Sequence, residues 1–584
     1  MALARMLERY LPILVWLPHY RRELFSHDLL AGLIVTVMVI PQSLAYALLA
    51  GLPAVVGLYA SILPLFAYTI FGSSRTLAVG PVAIIALMTA AALAGVAAPG
   101  SSAYIEAALV LTLLSGLMLT IMGLLRLGFF ANFLSHPVIS GFLSASGLLI
   151  AASQAAHLLG ITASGYTLVA LLSDLIAHLG DLHWPTLAVG AATLAFLVVM
   201  RRHAKTALIR LGFPERLADL LGKTGPVFAV AITTLICWRF DLATSGVAVV
   251  GDVAGGLPPL TLPGFEPALW KELLIPALLI SVVGFVESVS MGQMLAAKRR
   301  ERISPDQELI GLGTSNLAAA FSGGMPVTGG LSRTVINFDA GARTPAAGIV
   351  AALGIAVATL FFTPLLHYLP VATLAAVITV SILTLVDVQA MRRTWRYSRS
   401  DFAAMLATLG LTLIEGVEAG ILAGVGLSIG LFLYRTSRPH SALVGRVPGT
   451  EHFRNMARHH VESSQRVALL RIDESLYFAN ARYLEDTVYG LIAEHPGLDH
   501  VVLICSAVNL IDASALESLE AINARLADAE VTLHLAEVKG PVMDRLKHTD
   551  FIEALTGRVF FSTYSAWREL NPTSAGTSQA VSER

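Results

Sequence analysis

The chain has 584 residues, of which 55% are hydrophobic and 14% are charged, whereas soluble domains have about 45–50% apolar and about 25% charged residues. Its net charge of −1 provides no basic field for nucleic acid, and its two cysteines, Cys237 and Cys505, provide neither a disulfide framework nor a metal cluster. Residues 1–435 hold 46 of the 79 charged side chains, and residues 436–584 hold the other 33. This composition predicts a membrane part followed by a soluble part.

Residues 1–27 are predicted to be a cytoplasmic N-terminal segment. They contain several arginines and no uninterrupted apolar run before a cleavage site. This is not the pattern of a cleavable signal peptide.

Residues 28–435 are predicted to be an α-helical transmembrane domain. A helix needs about 20 apolar residues to cross the hydrocarbon core, and apolar segments of that kind, some of them short or broken, recur throughout this part of the chain. A short helix at 167–180 is predicted to lie at the membrane interface. Fourteen spans are predicted, at 29–50, 55–71, 76–96, 103–125, 133–159, 184–200, 224–240, 271–296, 306–322, 325–341, 346–366, 370–386, 401–416 and 418–434.

The positions of Lys and Arg define the predicted topology, because these residues stay cytoplasmic when they lie near span ends. With the N-terminus inside and fourteen crossings, the basic clusters at 201–223, 298–302 and 392–399 all fall on the inner side. The predicted outer loops 161–183 and 241–270 contain neither Lys nor Arg. Both termini are therefore predicted to be cytoplasmic, with the chain in the inner (plasma) membrane.

The third and tenth predicted spans each begin with an extended stretch that turns into a helix. The stretch 73–82 turns at Gly80-Pro81, and the stretch 325–334 turns at a pair of glycines. Transporters often point such half-helix N-termini at a substrate near the membrane midplane, where exposed N–H groups bind anions. The two stretches are seven spans apart, so a seven-plus-seven inverted repeat would bring them together. The alternative is that these Gly and Pro residues only permit close helix packing.

Two charged residues are predicted to act near these stretches. Arg333 would add positive potential at the start of the second half-helix, because a cation in a span usually faces a cavity or a partner. A salt bridge with Asp339 or Glu287 is the alternative, and the two roles are compatible. Glu287 lies in the middle of the eighth span, where its ionised form lacks water, and is predicted to be the proton-coupling residue. A structural hydrogen bond to a neighbouring helix is the alternative for Glu287.

The first span is predicted to break at Pro41, which leaves a backbone carbonyl without its helical partner. Gln42 and Tyr46 offer polar groups at the same depth and are predicted to bind the substrate. A helix that is merely kinked is the alternative.

Several motifs together resemble one known family. They are PQSLAYALLAGLP at 41–53 with GLY at 57–59, FGSSR at 71–75 with GP at 80–81, and SRT at 332–334 with NF at 337–338 and GART at 341–344. These motifs resemble those of the sulfate permease (SulP) family, which includes the animal anion exchangers and the motor protein prestin. The resemblance covers nearly the whole chain.

The resemblance implies a seven-plus-seven inverted repeat with a core domain and a gate domain, and usually a homodimer. It also implies that Gln42 and Glu287 line the cavity of the anion site. The segment FVES at 285–288 is closer to proton-coupled permeases than to sodium-coupled bicarbonate members, which have an Asp-centred motif. The implied anion-binding positions are Val79, Gly80, Pro81, Val82, Leu331, Ser332 and Arg333.

Residues 436–570 are predicted to form a small α/β domain. Buried strands are predicted at 467–472, 501–505 and 531–535, and a helix at 516–529 follows Asp512 or Ser514 as its N-cap. The segment NLIDASAL at 509–516 resembles the loop of STAS domains, which form a cytoplasmic tail throughout the family. The last residues, 571–584, are predicted to be disordered.

Phosphorylation at the usual STAS position is not expected. In the anti-sigma-factor antagonists that share this fold, the phosphorylated serine directly follows the Asp, and here Ala513 has that place. A dimer contact or the docking of a cytoplasmic partner is the predicted role of the domain instead.

The sequence therefore predicts secondary active transport of a small inorganic anion, with sulfate as the first candidate, by proton symport or anion exchange. Bicarbonate, chloride or dicarboxylate transport, in some cases coupled to sodium, is an alternative, as is an anion-sensing membrane receptor. We find no nucleotide loop or catalytic triad in the sequence, so neither an enzyme activity nor a cofactor is predicted.

Overall fold

The computed structural model describes residues 8, 10–129, 135–163, 165, 167–215, 218, 221–222, 224–253 and 255–571. The chain divides into two compact units, Met1–Ser428 and Ile429–Arg584. The predicted boundary at 435/436 lies in the same helix as this division, Val417–Ser437. The predicted cytoplasmic segment 1–27 is described only in part, and the predicted disordered tail lies outside the described residues from position 572 onward.

The described part of the first unit is almost entirely helical, apart from the strands β1 (Val79–Gly80) and β2 (Thr328–Gly329). Short 3-10 turns occupy Leu17–His19, Leu179–Asp181, Thr363–Leu366 and Leu383–Leu385. In chain order the α-helices are α1 Ile13–Trp16, α2 Arg22–Leu49, α3 Ala54–Tyr59, α4 Leu63–Phe71, α5 Ala83–Leu93, α6 Ser102–Leu124, α7 His136–Leu159, α8 Leu168–Ala177, α9 Trp184–Arg210, α10 Gly225–Phe240, α11 Pro267–Lys298, α12 Pro305–Ala320, α13 Leu331–Asp339, α14 Ala346–Phe361, α15 Val371–Ile382, α16 Val388–Tyr397, α17 Arg399–Ile414 and α18 Val417–Ser437.

Each of the fourteen predicted spans overlaps one or more of these helices, and the predicted interfacial helix coincides with α8. In the described residues, eight helical stretches are long and apolar enough to cross a membrane by length and composition. The helices α5, α8, α10 and α14 are apolar but shorter. The count of fourteen spans stays a prediction. The eight stretches are Arg22–Leu49, Ala54–Phe71, Ser102–Leu124, His136–Leu159, Trp184–Arg210, Pro267–Lys298, Val371–Tyr397 and Val417–Ser437.

The prediction that the first span breaks at Pro41 is wrong, because α2 continues through this residue without ending. Proline removes one backbone N–H and so one hydrogen bond of the helical ladder. The remaining hydrogen bonds and the packing of α2 along α14 keep the chain helical on both sides of Pro41.

Side-chain caps fix where several helices begin. Ser101 Oγ accepts a hydrogen bond from the N–H of Tyr104 at 3.2 Å at the start of α6. Thr167 does the same for Ala170 at 3.2 Å at the start of α8. Each cap satisfies an N–H group that would otherwise have no partner in the first helical turn.

The second unit contains a six-stranded sheet flanked by helices. The strand order is β4-β3-β5-β6-β7-β8. β3 is antiparallel to both β4 and β5, and β5 to β8 run parallel. The strands are β3 Ser441–Arg446, β4 Phe453–Asn455, β5 Val467–Ile472, β6 His500–Ile504, β7 Thr532–Ala536 and β8 Val559–Phe560, and the helices are α19 Ala481–Glu494, α20 Ala513–Asp528, α21 Gly540–Leu546, α22 Phe551–Ala554 and α23 Thr563–Leu570.

The predicted strands of the soluble part correspond to β5, β6 and β7, and the predicted helix corresponds to α20. Of the two N-cap candidates, Asp512 is the cap, since its Oδ1 accepts a hydrogen bond from the N–H of Ala515 at 2.9 Å. Its Oδ2 accepts another from the N–H of Phe478 at 2.9 Å. Ala513 and Ser514 are exposed beside it at the start of α20.

Candidate anion-binding site

The two extended stretches predicted to face each other are paired in the structure. β1 and β2 are antiparallel, with Val79 opposite Gly329 and Gly80 opposite Thr328. The helices α5 and α13 begin shortly after these strands. The pairing therefore holds the N-termini of two half-helices side by side, where their unpaired N–H groups and positive dipole ends favour an anion.

Glycines beside the strands make room for Arg333. Gly80 has a φ of +156°, and a Cβ atom built there would collide with the Arg333 guanidinium. A Cβ atom at Gly330 would lie 2.5 Å from Nε of Arg333. Larger residues at either position would displace this side chain.

Arg333 is buried, with 3% of its surface exposed, and comes in the first turn of α13. Its Nη2 donates a hydrogen bond to the carbonyl of Pro81, which links α13 to the chain just before α5. Its Nη1 is buried and has no hydrogen-bond partner among the described residues. A buried cation with an unused donor suits an anionic ligand, because leaving that donor unsatisfied is costly.

Glu287 and Tyr46 lie close enough to Arg333 to interact with its charge. Glu287 belongs to α11, and its Oε2 is buried without a hydrogen-bond partner among the described residues. Arg333 Nη1 and Glu287 Oε2 make no hydrogen bond among the described residues, although the two charges interact. The alternative of a salt bridge from Arg333 to Asp339 or Glu287 stays a prediction.

Hydroxyl groups fasten β2 to α11. Thr328 Oγ1 donates to the carbonyl of Gly284 at 2.6 Å. Ser288 Oγ accepts from the N–H of Gly329 at 2.9 Å and lies 2.7 Å from Thr328 Oγ1. The start of α13 is thereby fixed to the helix that carries Glu287.

Two side chains of α13 fasten it to the stretch before β1. The N–H of Ala78 donates to Thr334 Oγ1 at 3.1 Å. Asn337 Nδ2 donates to the carbonyl of Thr76 at 2.9 Å. Together with the strand pair, these hydrogen bonds make the two half-helix starts one hydrogen-bonded assembly.

A buried carboxylate in α12 holds the chain that leads into β1. Glu308 is 0% exposed, and its Oε1 accepts hydrogen bonds from the Ser73 N–H at 2.9 Å, the Ser73 Oγ at 2.6 Å and the Ser74 N–H at 2.9 Å. Its Oε2 accepts one from the hydroxyl of Tyr68 at 2.7 Å. Four donors on two oxygens satisfy this buried group.

Asn316, also in α12, holds the chain that leads into β2. Its Oδ1 accepts from the N–H of Val327 at 2.9 Å, and its Nδ2 donates to the carbonyl of the same residue at 2.8 Å. The helix α12 therefore anchors both extended stretches, one near each end.

The anchoring residues were not predicted from the sequence. Thr334 and Asn337 could have been found, because they follow Arg333 on the same short helix with a polar spacing that a lipid-facing helix would not tolerate. The others bind groups on separate elements, which only the fold brings together. The unpredicted residues are Ser288, Glu308, Asn316, Thr328, Thr334 and Asn337.

A cavity of about 500 Å³ leads to one side of this assembly. Of the predicted site residues, Gln42, Leu331 and Ser332 line it, along with residues of α9, α10 and α15. Arg201 and Lys205 of α9 also line it, and Lys205 is paired with Glu215 at 3.0 Å. The other predicted site residues lie outside this lining, namely Tyr46, Val79, Gly80, Pro81, Val82, Glu287 and Arg333.

Comparisons with known proteins identify the family of the chain. A model of the sulfate permease family matches residues 25–408, and a STAS domain model matches residues 459–566. The chain is 34% identical over 577 residues to "Sulfate transporter 4.1, chloroplastic" of Arabidopsis thaliana, with 96% of this chain and 82% of that protein covered. It is 32% identical over 556 residues to a probable sulfate transporter of Mycobacterium tuberculosis, with 94% of this chain and 96% of that protein covered.

Solved structures share the fold. The murine Solute Carrier 26 family member A9 anion transporter in its inward-facing state has a TM-score of 0.87 at 24% identity, over 96% of this chain and 94% of that chain. The transmembrane domain of the cyanobacterium bicarbonate transporter BicA has a TM-score of 0.59 at 22% identity, over 70% of this chain and 99% of that chain. With the family models and the relatives, these likenesses lead to one conclusion. The chain belongs to the sulfate permease family of membrane anion transporters, which are not enzymes, and carries a C-terminal STAS domain.

Proposed function

We propose that this protein is a secondary active transporter that carries sulfate across the plasma membrane by proton symport. The observation that carries the proposal is Arg333, a buried cation with a free Nη1 donor at two paired half-helix starts. Relatives at 34% and 32% identity are named as sulfate transporters, which favours sulfate over other small anions.

The cavity gives the anion a route to this position. The charge of Arg201 attracts an anion into it, and Ser332, which lines it, directly precedes Arg333. The cavity separates α2 and α13 on one side from α9, α10 and α15 on the other. Relative movement of these two groups of helices would close this route and open one to the opposite face, as alternating access requires.

Glu287 provides the proposed coupling. Protonation of its carboxyl removes a negative charge close to Arg333, so a dianion binds more favourably after the proton. By linkage, a bound dianion favours the proton to the same extent. Proton and sulfate therefore move together, and an inward proton gradient drives uptake.

We also propose an orientation in the membrane, an oligomeric state and a role for the STAS domain. Both termini lie in the cytoplasm, because the basic clusters then fall on the inner side. The protein works as a homodimer, and its STAS domain supplies a dimer contact or docks a cytoplasmic partner.

Counterflow in proteoliposomes tests the substrate. Vesicles loaded with unlabelled sulfate should take up labelled sulfate, and external bicarbonate, chloride or a dicarboxylate should compete only weakly. Empty vesicles and vesicles with the R333A variant are the controls. Stronger competition by bicarbonate or a dicarboxylate than by sulfate would refute the choice of sulfate. Uptake that follows a sodium gradient and ignores pH would refute proton coupling.

A further inference from the structure

The helix α16 connects two predicted spans at one face of the membrane. The 3-10 turn Leu383–Leu385 follows α15, and only Val386 and Asp387 separate that turn from α16. The next helix, α17, starts at Arg399, almost immediately after α16 ends. In the proposed topology, the spans of α15 and α17 meet at the inner face of the membrane, and the short links then keep α16 at that surface.

One side of α16 packs on the protein. Ala390, Met391 and Thr394 are half-buried. The ring of Trp395 meets the ring of Phe402 in α17 edge to face, with centroids 4.9 Å apart. These contacts fix the rotation of α16 about its own axis and determine which side chains point away from the protein.

The side that points away is basic. Arg392, Arg393 and Arg396 are all exposed and occupy an arc of about 100° on the helix. Arg393 lies 4.0 Å from the carboxylate of Asp387, which also caps the helix through the N–H of Ala390. Among the ion pairs between described residues, none includes Arg392 or Arg396, so the positive charge of this side is largely uncompensated.

An exposed apolar edge lies between the protein side and the basic side. Val388 is 51% exposed and Trp395 is 53% exposed. Arg399 lies next to this edge, with its guanidinium carbon 5.7 Å from the Trp395 ring centroid. Tryptophan is enriched where hydrocarbon meets headgroups, and a short helix with one apolar edge and arginines beside it is typical of helices in the plane of the interface.

We infer that α16 binds the phosphate groups of anionic phospholipids, with Val388 and Trp395 in the acyl-chain boundary and Arg392, Arg393 and Arg396 at the headgroups. The guanidinium fork matches phosphate oxygens in pairs. The charge of the basic side complements an anionic leaflet, and the helix is held at that leaflet by the two spans it joins. An acidic protein surface could also attract these arginines, but it would leave the apolar edge in water.

Native mass spectrometry of the full chain in detergent tests this binding, with dioleoylphosphatidylglycerol and dioleoylphosphatidylcholine as the probes. The wild type should bind the anionic lipid more tightly than the zwitterionic one. The triple variant R392Q/R393Q/R396Q should lose about 100-fold in affinity for phosphatidylglycerol, since each basic residue near a lipid surface contributes about 5-fold. Its affinity for phosphatidylcholine should not change.

The matched control removes three exposed arginines from the second unit, in the variant R454Q/R458Q/R482Q, and should bind phosphatidylglycerol like the wild type. If the α16 triple variant does not purify as a monodisperse protein, the single variant R396Q replaces it. Its affinity for phosphatidylglycerol should fall by about 5-fold. Unchanged phosphatidylglycerol affinity in the α16 variant would overturn the inference and leave an acidic protein surface as the occupant. Equal loss in the control variant, or equal binding of both lipids by the wild type, would overturn it too.

Discussion

Arg333 donates one hydrogen bond to a protein carbonyl and keeps another nitrogen free. The R333A variant should bind sulfate about 10- to 150-fold more weakly, since a hydrogen bond to a charged group contributes about 1.5–3 kcal/mol. Competition binding on purified protein measures this loss, and R333K should recover part of it through its charge. Unchanged affinity in R333A at normal expression would make Arg333 a structural residue.

Glu287 is the proposed coupling residue. Glutamine has the shape of the protonated acid and cannot release a proton, so E287Q should exchange sulfate in counterflow but no longer accumulate it in response to an inward proton gradient. Uptake of labelled sulfate with and without a pH difference across the vesicle membrane checks this. A variant that still concentrates sulfate in step with the gradient would show that another group carries the proton.

Gly80 has no side chain and so leaves space for the Arg333 guanidinium. In G80A the new methyl group would meet the Arg333 guanidinium, and the φ of +156° suits glycine alone. Overpacking of this kind costs about 1–3 kcal/mol of stability. Relief of that strain would move the Arg333 guanidinium, so sulfate affinity should fall toward that of R333A. The matched control is G410A in α17, where a Cβ atom would meet nothing within 4 Å. Equal effects of the two substitutions on sulfate affinity would contradict this steric account.

At the scale of elements, α12 supports the site without belonging to it. E308Q should lower the free energy of unfolding by about 2–4 kcal/mol, because glutamine cannot accept from all four donors around Glu308 and brings a donor of its own. Sulfate affinity should fall as well, since the chain before β1 loses its anchor. Thermal unfolding in detergent and sulfate binding are the two measurements.

The control for this substitution is E301Q in the same region. Glu301 pairs with Arg75 at 3.2 Å, and both side chains are partly exposed. Exposed ion pairs contribute about 0–1 kcal/mol, so this variant should unfold almost like the wild type. A loss as large as that of E308Q would mean that any charge removal here destabilises the protein.

Much of this arrangement could be predicted from the sequence, because apolar length, Gly-Pro turns and basic clusters are local signals. The proximity of 73–82 and 325–334 followed from their places in an inverted repeat. The break at Pro41 was a wrong prediction, because packing along α14 outweighs one lost hydrogen bond. The anchors Glu308 and Asn316 could not be predicted, because the backbone and hydroxyl groups that they bind are brought near them only by the fold.

At the scale of the whole molecule, the candidate anion site lies within the first unit. A chain without residues 440–584 should therefore insert into the membrane and bind sulfate with the affinity of the full chain. Transport rate or dimer stability is where a loss should appear. Size-exclusion chromatography checks the folding and oligomeric state of the truncated chain, and sulfate binding checks its affinity. A well-folded truncation that binds no sulfate would move the site away from β1 and β2.

The pairing of β1 with β2 has a consequence for how specificity can evolve. Each half-helix start takes its position from the other, so a substitution on one side changes the pocket that the opposite side presents. Adaptation to a new anion should thus need paired substitutions, and double-mutant cycles between 79–82 and 331–334 should be strongly non-additive.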